Sequence, residues 1–219
     1  MIIEAAVESL EAAIAAAEGG AHRIELAADL AHDGTTPSLD LIRACRSQLA
    51  IPVVVLIRPR AGDFVYSEAE HLEMLEQIRQ AKEAGAAGIV SGALTAAKPI
   101  AAAQTAALVT AGRPLPFTFH RAFDACAHQA VALETLIQLR VDRVLTSGGA
   151  PTAPAGAAQI RSLAAQAKAR IVIMAGSGIN ASNVAQLVRD SRVREVHFSV
   201  TEAGKVQDVI ERLRSRSPS

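Results

Sequence analysis

The stretch "IPVVVLIRPRAGDF", Ile51 to Phe64, contains an apolar run that ends abruptly in charged residues. Its core, Val53–Ile57, has no polar residue at alternate positions, which is typical of a strand buried on both faces. A second continuous run of this kind, "IVIMA", occupies Ile171–Ala175. Strands of this type belong to parallel sheets covered by helices, so we predict an α/β protein.

Outward from this run, short strand-like segments alternate with Ala- and Leu-rich helical segments along all 219 residues. The predicted strands begin roughly 21 to 35 residues apart, which is the repeat of βα units. Eight such units favour a closed (β/α)8 TIM-like barrel over an open doubly wound sheet. The predicted strands are Ile2–Ala6, Arg23–Leu26, Val53–Ile57, Gly88–Val90, Pro116–Phe119, Arg143–Thr146, Ile171–Ala175 and Glu195–Ser199.

Helix ends carry their own signals. Ser67, followed three residues later by Glu70, predicts a capping box at a helix start. Pro37 suits the first position of another helix. Asn180 or Ser182 is predicted to cap the helix that contains Leu187. No linker divides the chain, so we predict one barrel domain over residues 1–214 and a flexible tail over residues 215–219.

Composition excludes several classes of function. Twenty-two basic residues balance 22 acidic ones, so the chain has no general field that would attract nucleic acid or an anionic membrane. No apolar run approaches the ~20 residues of a membrane span, and the N-terminus lacks the features of a signal peptide. Two distant cysteines do not form a disulfide framework. We therefore expect a cytoplasmic protein that binds neither nucleic acid nor membrane.

The ends of the predicted strands hold the candidates for catalysis, because barrel active sites lie at the C-terminal ends of the strands. "PFTFHRAFD", Pro116–Asp124, ends in His120, Arg121 and Asp124, and "RIELAADL" carries Glu25. His120 titrates near neutral pH and is the main acid–base candidate, with Glu25 as a second. A purely structural role is equally open, in which Glu25 and Glu4 form interior ion pairs with Arg58 or Arg121.

Three further strand ends, of the third, sixth and seventh predicted strands, predict an anion site. Arg58 and Arg60 form a two-arginine clamp, because guanidinium groups bind carboxylate or phosphate bidentately. Glycine-rich loops follow the sixth and seventh predicted strands, where backbone N–H groups attract anions. The alternatives are a solvated turn at Pro59 and tight βα turns at the glycines. The predicted anion-binding residues are Arg58, Arg60, Ser147, Gly148, Gly176, Ser177 and Gly178.

Several motifs together resemble one known family. They are "GGAHRIELAADL", "DGTTPS", "IPVVVLIRPRAGDFVYS", "TFHRAFDAC", "RVLTSGG", "IMAGSGIN" and "EVHFS", and they run collinearly from about residue 2 to residue 200. The combination resembles the CutC family, which is named for copper homeostasis. The resemblance implies a (β/α)8-type barrel in the cytoplasm that forms a homo-oligomer, and a function in copper homeostasis.

The resemblance also implies a copper site, with cysteines as proposed ligands. Cys126 matches the family cysteine that follows "HRAFD", and His120 and His197 are its candidate partners in a copper(I) site. Ala6 and Ala27 stand where the family commonly has cysteine. Copper(I) prefers thiolate and thioether ligands, so we expect direct copper binding to be weak or absent in this member.

Three hypotheses about function follow. The first is the role in copper homeostasis that the family implies. The second is a metal-independent enzyme that uses His120 or Glu25 as an acid–base group on a small anionic or phosphorylated metabolite, with Asp124 or Arg121 orienting it. The third is a barrel whose polar rim serves only contacts between subunits. The sequence leaves open whether the protein is an enzyme.

Overall fold

A computed structural model describes residues 1–200 and 204–215, and within them the predicted barrel is confirmed. Eight parallel strands follow one another in chain order, and the first pairs with the eighth to close the barrel. The strands are β1 Ile2–Val7, β2 Arg23–Leu26, β3 Val53–Leu56, β4 Gly88–Ser91, β5 Phe117–Phe119, β6 Arg143–Thr146, β7 Val172–Gly176 and β8 Glu195–Ser199. The predicted strand ends differ from these by one residue at most.

A helix follows each strand in the described residues and covers the outside of the barrel. The helices are α1 Leu10–Glu18, α2 Leu39–Gln48, α3 Glu68–Glu83, α4 Ala102–Gly112, α5 Gln129–Gln138, α6 Ala157–Ala167, α7 Val184–Ser191 and α8 Lys205–Arg214. Short 3-10 helices at Leu30–His32 and Arg121–Ala125 interrupt the loops after β2 and β5. Within the described ranges, no helix is long and apolar enough to cross a bilayer.

The capping predictions had mixed outcomes. Ser67 and Glu70 form the predicted capping box at the start of α3. The prediction for Pro37 was wrong, because Ser38 caps α2 and the proline precedes the cap. The α7 prediction was also wrong, since α7 begins after Asn183 and the Asn180 side chain accepts the Ser182 amide within the loop.

The main hydrophobic core lies between the strands and the surrounding helices. Alternate strand residues point into the barrel instead, because successive strand side chains face opposite ways. On one side of the interior a small apolar cluster contains Ala27, Val54, Leu56 and Val90. The other side, formed by β6, β8, β1 and β2, carries buried charges in place of apolar side chains.

The last helix, α8, ends at Arg214, which is the last residue of the predicted barrel domain. Ser215, where the predicted tail begins, caps α8, and its amide donates to the Glu211 carbonyl. Residues 216–219 of that predicted tail lie outside the described residues, so the tail stays a prediction.

Candidate functional site

A cavity of about 740 Å³ opens at the C-terminal ends of the strands, which is where barrel enzymes bind their ligands. Its volume falls within the usual range for small-molecule sites. The candidate residues that line it are Glu25, Arg58, His120, Arg121, Asp124, Ser177, Gly178 and His197. The candidates that are not part of its lining are Arg60, Cys126, Ser147, Gly148 and Gly176. The structure therefore brings together the acid–base candidates but only part of the predicted anion set.

A layer of ion pairs fills the barrel beneath this cavity. Arg143 holds Glu195 through two guanidinium nitrogens, at 2.6 and 3.3 Å, and also donates to the Thr118 hydroxyl. Arg23 bridges Glu195, at 2.8 Å, and Glu4. Arg23 and Arg143 begin their strands, so this layer lies at the N-terminal end of the barrel. The carboxylates of Glu4 and Glu195 both have charged partners, which offset the free energy of removing these groups from water.

Glu4 connects this layer to the cavity. Its second oxygen accepts a hydrogen bond from His197 Nδ1 at 2.8 Å. Burial raises the pKa of Glu4, but the hydrogen bonds and charges of His197 and Arg23 outweigh it and lower the pKa to about 2. Glu4 is therefore a permanent carboxylate. The prediction that Glu4 pairs with Arg58 or Arg121 was wrong, because the register of β1 places Arg23 and His197 directly beside Glu4.

Glu25 has the opposite environment. It is buried, its Oε2 atom has no hydrogen-bond partner among the described residues, and His197 Nδ1 is 4.0 Å from that atom. Burial raises the pKa of Glu25 to about 7; His197 and Arg23 oppose the shift and the Glu4 charge adds to it. Burial lowers the pKa of His197, yet the carboxylates of Glu25 and Glu4 outweigh it and the net shift is upward. Glu25 therefore exchanges a proton near neutral pH.

His120 lies on the cavity wall after β5. Its Nδ1 accepts the Ala122 amide at 3.3 Å, and its Nε2 is buried without a partner. Phe64 packs against the ring with centroids 4.9 Å apart. Burial and the nearby Arg58 charge lower the pKa of His120 to about 3. The imidazole is therefore neutral at physiological pH, and of the two acid–base candidates only Glu25 has a pKa near neutrality.

The two arginines of the predicted clamp do not face the same space, because Arg58 lines the cavity and Arg60 does not. The Arg58 guanidinium is buried and donates to the carbonyls of His32, Gly34 and Gly62, so its charge lies in the wall of the cavity. Arg60 points away from the cavity and pairs with Asp63 and Glu70. The structure thus does not bring the two guanidinium groups to one anion.

Asp124 occupies the loop where amides were expected to be free. Its carboxylate accepts the backbone N–H groups of Ser147 and Gly149, the hydroxyl of Thr146 and the Arg121 guanidinium. The Gly148 amide donates to Thr146 Oγ1. A carboxylate of the protein itself therefore fills the anion-attracting loop after β6, and the amides of Ser147 and Gly149 hold Asp124.

The loop after β7 remains open to a ligand. Ser177, with φ of 86°, and Gly178, with φ of 67°, both adopt left-handed backbone. Within residues 1–200 and 204–215, the amides of Gly178 and Ile179 donate to no protein acceptor. Successive N–H groups in such a turn form a concave anion site. Arg121 and Lys205 line the same cavity and add positive charge.

The predicted copper ligands do not come together. Among the described residues, the one group with metal-ligand spacing is Glu4, Glu25 and His197, and it contains neither Cys126 nor His120. Burial and the Asp124 charge raise the pKa of Cys126 to about 11, so its thiol is protonated. Two carboxylates and an imidazole are hard ligands, whereas copper(I) prefers soft ones. These residues therefore do not fit copper(I).

Sequence reasoning missed Arg23, Arg143, Glu195, Lys205 and Ile179. A signal was present for Arg23 and Glu195, because "RIE" in β2 and "EVH" in β8 place ionisable residues two positions apart on one strand face. Such alternation of charges on a strand in a closed barrel indicates an interior ion layer. The sequence of β6, "RVLT", gives no such signal for Arg143. Lys205 and Ile179 lie in loops and at a helix start, where periodicity gives no signal.

The fold and the site define a (β/α)8 barrel with a strand-end cavity lined by a buried carboxyl whose pKa lies near neutrality. Comparison with known proteins identifies the family to which the chain belongs. The model of the CutC family matches residues 1–202, so the chain belongs to the CutC family. A CutC family protein of Glaesserella parasuis is 44% identical over 215 residues, covering 98% of this chain and 88% of that protein.

Animal relatives and solved structures agree with this placement. The mouse protein named copper homeostasis protein cutC homolog is 46% identical over 198 residues, covering 90% of this chain and 73% of that protein. The crystal structure of CutC from Streptococcus agalactiae superposes with a TM-score of 0.86 at 32% identity, covering 90% of this chain and 98% of that one. A phosphoribosylanthranilate isomerase from Pyrococcus furiosus, with a TM-score of 0.61 at 17% identity, shares the fold, covering 98% of this chain and 99% of that one.

Proposed function

We propose that this protein is an enzyme that uses Glu25 to move a proton on a small anionic substrate, and that the reaction does not require copper. The observation that carries the proposal is the free Oε2 atom of Glu25, buried beside a cavity of about 740 Å³. A carboxyl with a pKa of about 7 both accepts and returns protons at neutral pH. Perturbed ionisable groups in clefts are typical of catalytic sites.

The anion is expected to bind at the loop after β7. The amides of Gly178 and Ile179 supply hydrogen-bond donors, and Arg121 and Lys205 supply charge. Lys205 Nζ donates to the Ser199 carbonyl at 2.7 Å, which fixes its position at the cavity edge. The two-arginine clamp plays no part, since Arg60 points away. A phosphate or carboxylate here would lie across the cavity mouth, with the reacting part of the substrate directed inward to Glu25.

The test is conversion of small molecules by the purified protein. We would incubate it with a small-molecule extract of cells and follow anionic compounds by mass spectrometry, with and without a copper chelator. Wild-type protein should convert at least one substrate–product pair in both conditions, whereas Glu25→Gln should lose at least a hundredfold in rate. Glu68→Gln, an exposed carboxylate, is the control. Absence of conversion, or an unchanged rate in Glu25→Gln, overturns the proposal.

A second candidate is direct participation in copper homeostasis. It is favoured by the names of relatives such as the mouse homolog. The chemistry of the described residues argues for an indirect role, because Cys126 is a protonated thiol outside the cavity lining. Titration of the reduced protein with copper(I) against a competing chelator separates the two. Tight binding of one copper that is lost in Cys126→Ala would establish direct binding and refute the copper-free proposal.

A further inference from the structure

Three of the residues that line the cavity carry buried polar atoms with no hydrogen-bond partner in residues 1–200 and 204–215: Glu25 Oε2, His120 Nε2 and Arg58 Nε. Most buried polar groups in proteins are hydrogen-bonded, so unpartnered ones beside a cavity indicate what a ligand supplies. The other two guanidinium nitrogens of Arg58 donate to the backbone carbonyls of His32, Gly34 and Gly62, which hold this side chain in the cavity wall. Glu25 and His120 are therefore the pair whose free atoms define the ligand.

The hydrogen bonding of His120 fixes which nitrogen carries the proton. The Ala122 amide donates to Nδ1, so Nδ1 presents a lone pair and a neutral ring carries its proton on Nε2. The ring has little freedom to turn, because Phe64 and Phe119 pack against it. Gly92 also approaches closely, and a Cβ added there would lie 2.9 Å from Nδ1. His120 is thus a fixed N–H donor to the cavity.

Glu25 and His120 approach the cavity from different walls. Glu25 is on β2 and His120 follows β5, three strands apart around a closed barrel of eight described strands. One wall therefore offers a proton acceptor and the other a neutral hydrogen-bond donor. A substrate between them would have one group that loses a proton and another that becomes a stronger acceptor as it does so.

We propose, building on the acid–base function above, that the substrate is a carbonyl compound with a hydrogen on the carbon next to the carbonyl. The Glu25 carboxylate removes that proton, and His120 Nε2–H donates to the carbonyl oxygen. The C–H bond breaks, its electron pair forms the carbon–carbon double bond of an enolate, and the carbonyl π pair moves onto the oxygen. The proton rests on Glu25 and returns to carbon. In an α-hydroxy carbonyl compound it returns to the former carbonyl carbon, and the hydroxyl proton passes to the former carbonyl oxygen, so the step is an isomerisation without any oxidant.

A neutral donor suits this step better than an imidazolium. Hydrogen bonds aimed at the oxygen that gains charge stabilise the transition state more than the ground state. An imidazolium would be free to lose its proton to another base, whereas the neutral ring keeps its N–H. Burial and Arg58 hold the pKa of His120 at about 3, which keeps that donor neutral across the physiological range.

Two substitutions separate donation from structure. In His120→Asn the side-chain oxygen replaces Nδ1 as acceptor of the Ala122 amide, but nothing replaces Nε2–H. In His120→Gln the side-chain NH₂ group replaces Nε2–H. His128→Asn, at an exposed position at the start of α5, is the control. Nitrogen-15 NMR of the free protein measures the tautomer and the protonation state of the His120 ring. His120 should show the Nε2–H tautomer and should not titrate between pH 5 and 8. Titration in that range refutes the proposal.

The binding test uses two probes with the same phosphate. Phosphoglycolohydroxamate carries a planar group that imitates an enediolate, and 2-hydroxyethyl phosphate lacks any such group. Wild type and His128→Asn should bind the hydroxamate at least tenfold more tightly, and binding should shift the His120 Nε2–H proton resonance. His120→Asn should lose that preference while its affinity for 2-hydroxyethyl phosphate is unchanged, and His120→Gln should restore part of it.

The outcomes distinguish this inference from the function on which it rests. Equal affinity for both probes in the wild type, or a preference that survives in His120→Asn, overturns the carbonyl substrate and leaves a Glu25-dependent enzyme on another anion. Failure of both probes to bind overturns the anion site as well. Conversion in deuterium oxide that depends on Glu25 but adds no deuterium to carbon also refutes the enolate.

Discussion

The barrel interior has a lower layer of charged residues around Glu195 and an upper layer around Glu25 and His120, and the two layers differ in whether their polar atoms have hydrogen-bond partners. In the lower layer Glu195 is held by Arg23 and Arg143, and every carboxylate oxygen has a partner. In the upper layer Glu25 and His120 are equally buried but each keeps an unpartnered atom. An unsatisfied buried polar group costs stability, so the paired lower layer agrees with a structural role, and the unpaired upper layer is the basis of the ligand site that we propose.

Breaking the lower layer should give the largest loss of stability. Glu195→Ala leaves Arg23 and Arg143 buried without their shared carboxylate, which is expected to cost about 3–5 kcal/mol in the free energy of unfolding. Urea denaturation measures it. The control is Glu134→Ala, because Glu134 pairs with Arg170 at an exposed position and should contribute about 0–1 kcal/mol. Similar losses in both variants would remove the distinction between the layers.

Neutralising Glu25 in the upper layer should increase the free energy of unfolding, and the increase should depend on pH. The pKa of Glu25 rises from 4.5 to about 7 on folding, so the folded state binds more protons between those pH values and stability falls as pH rises through them. Glu25→Gln should therefore stabilise the protein by about 3 kcal/mol at pH 8, and by almost nothing at pH 4. Chemical denaturation at both pH values measures this. The His197, Glu4 and Arg23 charges that face Glu25 remain in the variant, and Glu68→Gln should show no such dependence.

The glycine behind His120 gives a smaller effect. A Cβ at position 92 would meet His120 Nδ1 and the Phe119 ring at 2.9 Å, so Gly92→Ala is expected to destabilise by about 1–3 kcal/mol and to displace the imidazole. Thermal unfolding and the His120 NMR resonance measure both effects. In Gly112→Ala the new methyl group would be at 3.5 Å from its nearest neighbour, and no loss is expected. An unmoved His120 resonance in Gly92→Ala would show that the ring is not held there.

Removing Arg60 should have the smallest effect. Its ion pairs with Asp63 and Glu70 are partly exposed, and such pairs contribute about 0–1 kcal/mol. Arg60→Ala should leave the affinity for inorganic phosphate unchanged, as measured by calorimetry. Lys205→Ala, at the cavity edge, should weaken phosphate binding. A loss of phosphate affinity in Arg60→Ala would restore the two-arginine clamp that the sequence predicts.

The barrel was predictable because its signals are local. Continuous apolar runs such as Val53–Ile57 and the regular spacing of strand and helix require no knowledge of distant residues. The positions of Glu25 and His120 at strand ends followed from the same argument. Family membership was predictable from collinear motifs, and the family model confirms it. The homo-oligomer and the cytoplasmic location stay predictions.

The states of the site residues were not predictable, since they depend on strands far apart in the chain. The low pKa of His120 comes from burial and from Arg58 of the loop after β3, and the fate of Asp124 depends on amides of the loop after β6. No local pattern reports these contacts. Cys126 shows the same limit, because its motif suggests a ligand while its burial keeps the thiol protonated.

The pairing of β1 with β8 has a consequence for the order of events during synthesis. Glu4 and His197, which together set the charge beside Glu25, come from the first and last strands and meet only across the seam that closes the barrel. A nascent chain that has formed β1 to β7 lacks the His197 imidazole that faces Glu25. The Glu25 carboxyl therefore acquires its final electrostatic environment only when the last strand is in place.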